Sequence, residues 1–315
     1  MSIDGIILVH KPEGNTSHDI VDALRKLLNQ KKTGHFGTLD PMATGLLLIA
    51  LGKATRLFPF FSKLDKEYRG EITLGFATDS YDATGVPTTP SSDKFPIEDV
   101  LVHTIQSFVG EQTQIPPAFS AKKYKGQPLY KLARAQKEVS PAPTQINVRL
   151  FQLERYSPPQ IGFKIRCSSG TYIRSLAHDL GQKLGCGAML SKLERTCVGA
   201  YSLEDAYTLD GIESLAQRNC VSEAILPIEE LLPEFPKLIL KDSAVLVAQN
   251  GNTLYPEHVL KLIPAETAEA DFNLKEPAIF RVFNPQGKLM AFARKKSDSH
   301  GLHPFLVIDT NTQIS

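Results

Sequence analysis

The sequence predicts an α+β fold, a mixed and largely antiparallel sheet flanked by helices, followed by a small β-rich C-terminal domain. Three observations carry this. Strand-like runs are interleaved with segments of helical spacing, but without the strict strand–helix alternation of a parallel sheet. Composition shifts at Leu231 to Pro236 (LLPEFP), where two prolines in six residues mark an inter-domain hinge. Beyond it lie short strand-like runs, two of them joined by Asn284-Pro285-Gln286-Gly287, a hairpin signal. The 315 residues suit two domains, read as 1–230 and 237–315. A chain cut near Leu232 is then expected to fold.

The elements follow in order. Ile6 to His10 is a buried strand, stopped by Pro12 and Gly14. Ser17 suits the N-cap of a helix reaching about Gln30, with Ile20, Leu24 and Leu27 on one face and Asp19 and Asp22 near its start. Leu46 to Leu51 is apolar throughout, as in a strand covered on both faces. Tyr68 to Leu74 alternates, with Tyr68, Ile72 and Leu74 on one side. Pro96 to Phe108 has helical spacing, and Val148 to Leu153 and Ile161 to Cys167 are two more strands. Thr171 then caps a helix that buries Ile173, Leu176, Ala177, Leu180 and Leu184 and ends at Gly185. In the tail, Ile279 to Phe283, Lys288 to Ala293 and Phe305 to Ile308 are strands.

Composition narrows the class. Hydrophobic residues make up 42% and charged residues 22%, which excludes wholesale disorder. Lys and Arg total 35 against 34 Asp and Glu, so charge has to be read locally. The four cysteines form no CxxC pair, against a zinc site or a disulfide framework. The N-terminus has no basic region or long apolar run, and no apolar run spans a bilayer. The expected address is the cytoplasm.

Three constellations can carry chemistry. In Gly34-His35-Phe36-Gly37-Thr38-Leu39-Asp40-Pro41 a carboxylate stands on a glycine-framed loop opening onto the strand Leu46 to Leu51. That placement suits a nucleophile or general base, although Asp-Pro equally begins an ordinary turn. Met42 stands where an aspartyl-phosphate enzyme of the haloacid dehalogenase type needs a second Asp, and Gly52-Lys53-Ala54 does not complete a P-loop. Pro116 to Lys137 holds Lys122, Lys123, Lys125, Lys131, Arg134 and Lys137 with Tyr124 and Tyr130 and no acidic residue. Such a run suits phosphates and unstacked bases, and equally a solvated helix face. Finally, Ser168 to Leu176 runs from a strand end through a Ser/Gly turn to Tyr172 and Arg174 at a helix start. An Arg there can hold a nearby carboxylate ionised; it can also be a plain surface residue.

Together these segments resemble the TruB family of tRNA pseudouridine synthases. The matching residues are Lys11-Pro12-x-Gly14-x-Thr16-Ser17, the stretch Gly34 to Gly45, and Lys66-x-Tyr68 with Leu74-Gly75-x-x-Thr78-Asp79 and Asp82-x-x-Gly85. They continue with Pro116-Pro117-x-x-Ser120-Ala121-x-Lys123, Gly126, Tyr130 and Ala133-Arg134, then Ser168-x-Gly170 to Leu176, Asp179-Leu180-Gly181 and Leu193-x-Arg195-Thr196. Phe36 stands where the family more often has Thr.

The resemblance implies the pseudouridine-synthase α+β core, with a C-terminal domain similar to the PUA type. It implies an isomerase that converts uridine-55 in the T-arm loop of tRNA to pseudouridine by base flipping. Asp40 matches the catalytic nucleophile and Arg174 its partner. His35, Tyr68, Tyr172 and Leu193 match positions lining the flipped nucleotide. Tyr68 is in addition a candidate proton acceptor. Lys11, Lys122 and Lys123 are expected to touch the RNA. The implied partner is tRNA, bound by a monomer, with no metal, small-molecule cofactor or membrane. The alternative is a non-catalytic RNA-binding or tRNA-folding module that retains the fold.

Overall fold

The computed structural model describes residues 3–117, 119, 123–124, 127–128, 142–265, 279–295 and 301–309. In chain order its strands are β1 (Gly5–Lys11), β2 (Thr33–His35), β3 (Thr44–Leu51), β4 (Lys66–Leu74), β5 (Gly110–Gln114), β6 (Lys123–Tyr124), β7 (Gln127–Pro128), β8 (Thr144–Ser157) and β9 (Gln160–Cys167). They continue with β10 (Ala188–Val198), β11 (Tyr201–Ser202), β12 (Ile225–Pro227), β13 (Lys237–Leu240), β14 (Val259–Ile263), β15 (Ile279–Phe283), β16 (Leu289–Lys295) and β17 (Leu302–Val307). The helices are α1 (Ser17–Leu27), α2 (Phe58–Phe61), α3 (Glu98–Gln106), α4 (Ile173–Leu184), α5 (Leu209–Gln217) and α6 (Val245–Gln249).

The main sheet runs β12-β1-β3-β10-β4-β9-β8-β5, with β2 beside β3 and β11 beside β10. Its neighbours are antiparallel except β3 and β10, which pair in parallel at Thr44–Gly45 and Glu194–Arg195. This is the mixed, largely antiparallel α+β architecture expected. The parallel contact is close: Gly45 has φ +100°, and a Cβ there would meet the Arg195 carbonyl oxygen at 2.4 Å. Only glycine fits this point. A second sheet, β14-β13-β15-β16-β17, follows in the tail, and its β15–β16 hairpin turns at Asn284 as expected.

The unbroken apolar run of β3 has two causes, one on each face. Leu47, Ile49 and Leu51, with Ile7 and Val9 of β1, pack in one cluster with Ile20 and Leu24 of α1, Leu101 of α3, Leu176 and Leu180 of α4 and Ile212 of α5. Leu46, Leu48 and Ala50, with Ile6 and Leu8, belong to the other face. Their cluster contains Phe283, Leu289, Phe292 and Ile308 of the tail. The tail therefore covers the back of the main sheet.

This corrects the expectation of an open hinge at 231–236. Leu231, Leu232 and Phe235 are buried, and Arg281 donates to the carbonyls of Leu231 and Phe235. Phe60 at the end of α2 lies 4.7 Å from the Phe292 ring and 5.6 Å from that of Phe235. Lys53 and Lys288 both pair with Asp309, at 2.5 and 2.8 Å. A chain ended after Leu232 is thus expected to expose an apolar sheet face, bind a hydrophobic dye and unfold less cooperatively. In the full chain, Phe292→Ala should cost about 3–5 kcal/mol in urea unfolding. A truncated chain as stable as the parent would show the tail to be independent.

Two caps differ from expectation. Thr16, not Ser17, is the N-cap of α1, in a capping box with Asp19. Tyr172, not Thr171, precedes α4, and Gly185 closes that helix at φ +75°. The release of Ser17 from capping matters for the site.

Candidate active site

The site lies where β3 and β10 meet, and its centre is the loop 36–43 that leads into β3. Several peptide groups of this loop are held. The Phe36 N–H donates to the Leu48 carbonyl at 2.9 Å. Arg195, on β10, donates from Nη2 to the Gly37 carbonyl at 3.0 Å, from Nη1 to Thr38 at 3.4 Å and from Nε to Leu46 at 2.8 Å. Ser17 Oγ accepts from the Leu39 N–H at 2.8 Å and donates to the Leu39 carbonyl at 3.1 Å. The Pro41 carbonyl accepts from the Gly14 N–H at 2.9 Å. Phe36 itself is buried, stacked 4.5 Å from Phe61 of α2. It extends the aromatic packing of α2 against the tail to the edge of the loop. These contacts on both sides of Asp40 restrain the loop and direct the carboxylate.

There Asp40 meets Arg174 in the first turn of α4, Oδ2 to Nε, at 2.9 Å. The Arg174 side chain is 6% exposed and that of Asp40 38%, so the carboxylate faces a cavity and the guanidinium backs it. Arg174 Nη1 also meets Asp82 Oδ2 at 3.2 Å and the Ser80 carbonyl at 3.2 Å, and Nη2 donates to the Phe119 carbonyl at 2.9 Å. Asp82 is held in turn by the Ser80 and Thr84 hydroxyls, at 2.7 and 2.6 Å, and by the Thr84 N–H. The turn is tight: a Cβ on Gly85 would lie 2.3 Å from Ser80 Oγ.

One cation thus serves two carboxylates. Burial pushes the Asp40 carboxyl above its ordinary value, Arg174 opposes this, and Asp82 pushes it further up. The net shift is upward because burial outweighs the attraction of Arg174, which still favours the ionised form.

Two cavities meet at this pair. The smaller, about 250 Å³, is lined by Tyr68, Tyr172, Leu193, Lys66 and Arg195 as well as Asp40 and Arg174. The larger, about 800 Å³, is lined by His35, His18, Val86 and Phe119 and again by Asp40 and Arg174. The structure therefore brings Asp40, Tyr68, Tyr172, Arg174 and Leu193 together and places His35 on the adjoining side. Burial lowers the His35 pKa, so its ring is neutral at pH 7. Burial pushes the Tyr68 pKa up, and the neighbouring Arg195 cation opposes this. Tyr68 is a phenol at neutral pH, which favours proton donation over the acceptor role expected for it. Tyr172 receives its place from Gln114, whose Oε1 accepts from its N–H at 2.8 Å and whose Nε2 donates to its carbonyl at 3.0 Å.

Lys11 is a correction. Expected at the RNA, it is fully buried. Its ammonium donates to the carbonyls of Pro12, Asn15 and Pro41 at 2.8, 2.7 and 3.4 Å. Burial lowers its pKa to about 8. It ties the chain before α1 to the catalytic loop and lines neither cavity. Lys66 is similar, donating to Ser62 and Leu64 carbonyls at 3.0 and 2.6 Å. Lys122 and the side chain of Lys123 lie outside the described residues, as do Lys125, Lys131, Arg134 and Lys137. Sequence reasoning missed Asp82, Arg195 and Ser17 as parts of the site. All three stand inside the family motifs, but nothing local marks them as partners of Arg174, the loop carbonyls and Leu39.

Comparison with known proteins places the chain in a family. The model of the TruB family pseudouridylate synthase N-terminal domain matches residues 25–173, and that of the tRNA pseudouridylate synthase B C-terminal domain matches 174–233. The chain is 47% identical over 236 residues to the tRNA pseudouridine synthase B of Opitutus terrae, covering 73% of this chain and 95% of that protein. It is 36% identical over 310 residues to that of Thermotoga maritima, covering 98% and 96%. Its fold is similar to a chain in an H/ACA RNP bound to a substrate RNA containing 2′-deoxyuridine, with TM-score 0.71, 25% identity and coverage of 98% and 86%. It is also similar to one in a Cbf5-Nop10-Gar1 complex, with TM-score 0.72, 27% identity and coverage of 97% and 85%. Placed on the α+β core and site described above, these matches show that the chain belongs to the TruB family of pseudouridylate synthases.

Proposed function

We propose that this chain isomerises a uridine of tRNA to pseudouridine, the uridine at position 55 in the T-arm loop, and that Asp40 is the reacting carboxylate. The carrying observation is the Asp40–Arg174 pair at the mouth of a small cavity lined by Tyr68, Tyr172 and Leu193. Isomerisation breaks the N1–C1′ bond, turns the base and joins C5 to C1′. The C5 proton is lost and N1 gains one, so no atom is added overall. The base must not escape while detached, and a small cavity walled by Tyr68, Tyr172 and Leu193 serves this. It must first leave its stack, at a cost of a few kcal/mol; stacking on Tyr68 returns about 1–3 kcal/mol.

Opening the glycosidic bond by attack at C1′, or through the 2′ proton, needs Asp40 ionised. Arg174 keeps that anion directed into the cavity. His35, neutral and on the larger cavity, is placed to contact the loop from which the base departs. The tail, and the basic run around Lys122 and Lys123, are assigned to tRNA binding through phosphates. The chain is assigned to act as a monomer. Among the described residues no helix is long and apolar enough to cross a membrane. The free thiols of all four cysteines fit action in the cytoplasm.

The test is incubation with an unmodified tRNA transcript followed by pseudouridine mapping. One modified position, in the T-arm loop, is expected. Binding without any pseudouridine would instead support a non-catalytic tRNA-folding module.

A further inference from the structure

Tyr81 stands between the two groups of its turn that Arg174 holds, and its backbone is unusual. It has φ +66°, a left-handed conformation that a side-chain-bearing residue adopts only when its surroundings impose it. Its carbonyl accepts from the Leu190 N–H at 3.0 Å, and its ring lies 3.9 Å from that of His178, at 19°, a parallel stack. His178 is four residues after Arg174 on α4, on the same helix face. Its Nδ1 is buried without a hydrogen-bond partner, so at that atom the stack takes the place of a polar tether. The reversal at Tyr81 brings the Ser80 carbonyl and the Asp82 carboxylate onto the same nitrogen, Arg174 Nη1, each at 3.2 Å. Neither Tyr81 nor His178 lines either cavity.

We propose that Tyr81 is a positioning residue for the reaction: its reversed backbone and its stack on His178 dock the Ser80–Asp82 turn on α4, and so fix the orientation in which Arg174 presents Nε to Asp40. A planar guanidinium held at Nη1 and Nη2 has no freedom left at Nε, so the turn sets the direction of the catalytic ion pair from behind. This rests on the reading of Asp40 as the reacting carboxylate.

The test uses the full chain and single-turnover pseudouridine formation on saturating tRNA transcript. Tyr81→Ala should slow the rate by about tenfold or more, since small displacements of a catalytic group are costly, while tRNA Kd stays within about twofold. Tyr81→Phe, which keeps the ring, should restore most of the rate, and His178→Ala should match Tyr81→Ala. In an Asp82→Asn background Tyr81→Ala should have a clearly smaller effect, because part of its influence passes through that carboxylate and the rest through the Ser80 carbonyl. Equal losses in both backgrounds, a Phe variant as slow as Ala, or a loss lying wholly in Kd would overturn the proposal. A second arm reads the Arg174 Nε–H by NMR, where Tyr81→Ala should speed its exchange with solvent by about tenfold or more; unchanged exchange would also overturn it. If the parent chain makes no pseudouridine, the functional reading falls, and the exchange arm still decides whether Tyr81 fixes Arg174.

Discussion

Asp40→Asn is expected to abolish pseudouridine formation while tRNA affinity stays within about tenfold, or about 1.4 kcal/mol. The amide has the shape of the carboxylate but neither its charge nor its nucleophilicity. The loop that carries it does not depend on that charge. Arg195 and Ser17 hold the backbone at Gly37, Thr38 and Leu39, and Lys11 and Gly14 hold Pro41. Arg174 keeps Asp82 and two carbonyls when Asp40 is neutral. The fold should therefore persist, and near-parental tRNA binding checks this. The parent should also lose activity as pH falls. Because burial and Asp82 outweigh Arg174, the Asp40 carboxyl sits above its ordinary value, so the acid limb of the single-turnover rate should have its midpoint above about 3.9. Substantial pseudouridine formation by the Asn variant would remove Asp40 from the chemistry.

What the sequence made legible follows from how local each signal is. Asp40 and Arg174 stand in dense segments whose residue types announce a loop and a helix start. Their convergence came from the family resemblance rather than from spacing, since 134 positions separate them. The apolar run of β3 announced cover on both faces; it could not say that Phe283, Leu289 and Phe292 supply the second cover, because that contact joins the two ends of the chain. The prolines at 233 and 236 signalled a linker correctly as irregular backbone, but not its burial under Arg281. Lys11 misled for an instructive reason. It is expected to touch the RNA, whereas its ammonium donates to three backbone carbonyls. A carbonyl has no sequence signature. The same holds for Arg195, whose fully buried side chain serves the loop through carbonyl oxygens.

Tyr68→Phe is expected to bind tRNA nearly normally and to turn over at least about a hundredfold more slowly, because proton-transfer groups contribute about 10²–10⁴-fold. Two roles of this side chain make opposite forecasts. The ring lines the small cavity and is available to stack on the flipped base, and phenylalanine keeps that contact. The hydroxyl, close to the Arg195 cation, is available for proton transfer, and phenylalanine loses it. With its pKa pushed above the usual phenol range, Tyr68 enters the reaction protonated, beside the buried Arg195 cation and the Asp40 anion. It is thus suited to give a proton or a hydrogen bond as the base detaches and turns. Loss of the hydroxyl leaves Arg195 still anchored on Leu46, Thr38 and Gly37, so the catalytic loop should not move, and an unchanged thermal midpoint tests that. Tyr68→Leu should lose both roles and bind more weakly as well. Single-turnover formation at saturating enzyme separates rate from binding. A Phe variant within a few-fold of the parent would leave stacking as the whole contribution of Tyr68 and return the proton transfers to Asp40 and water.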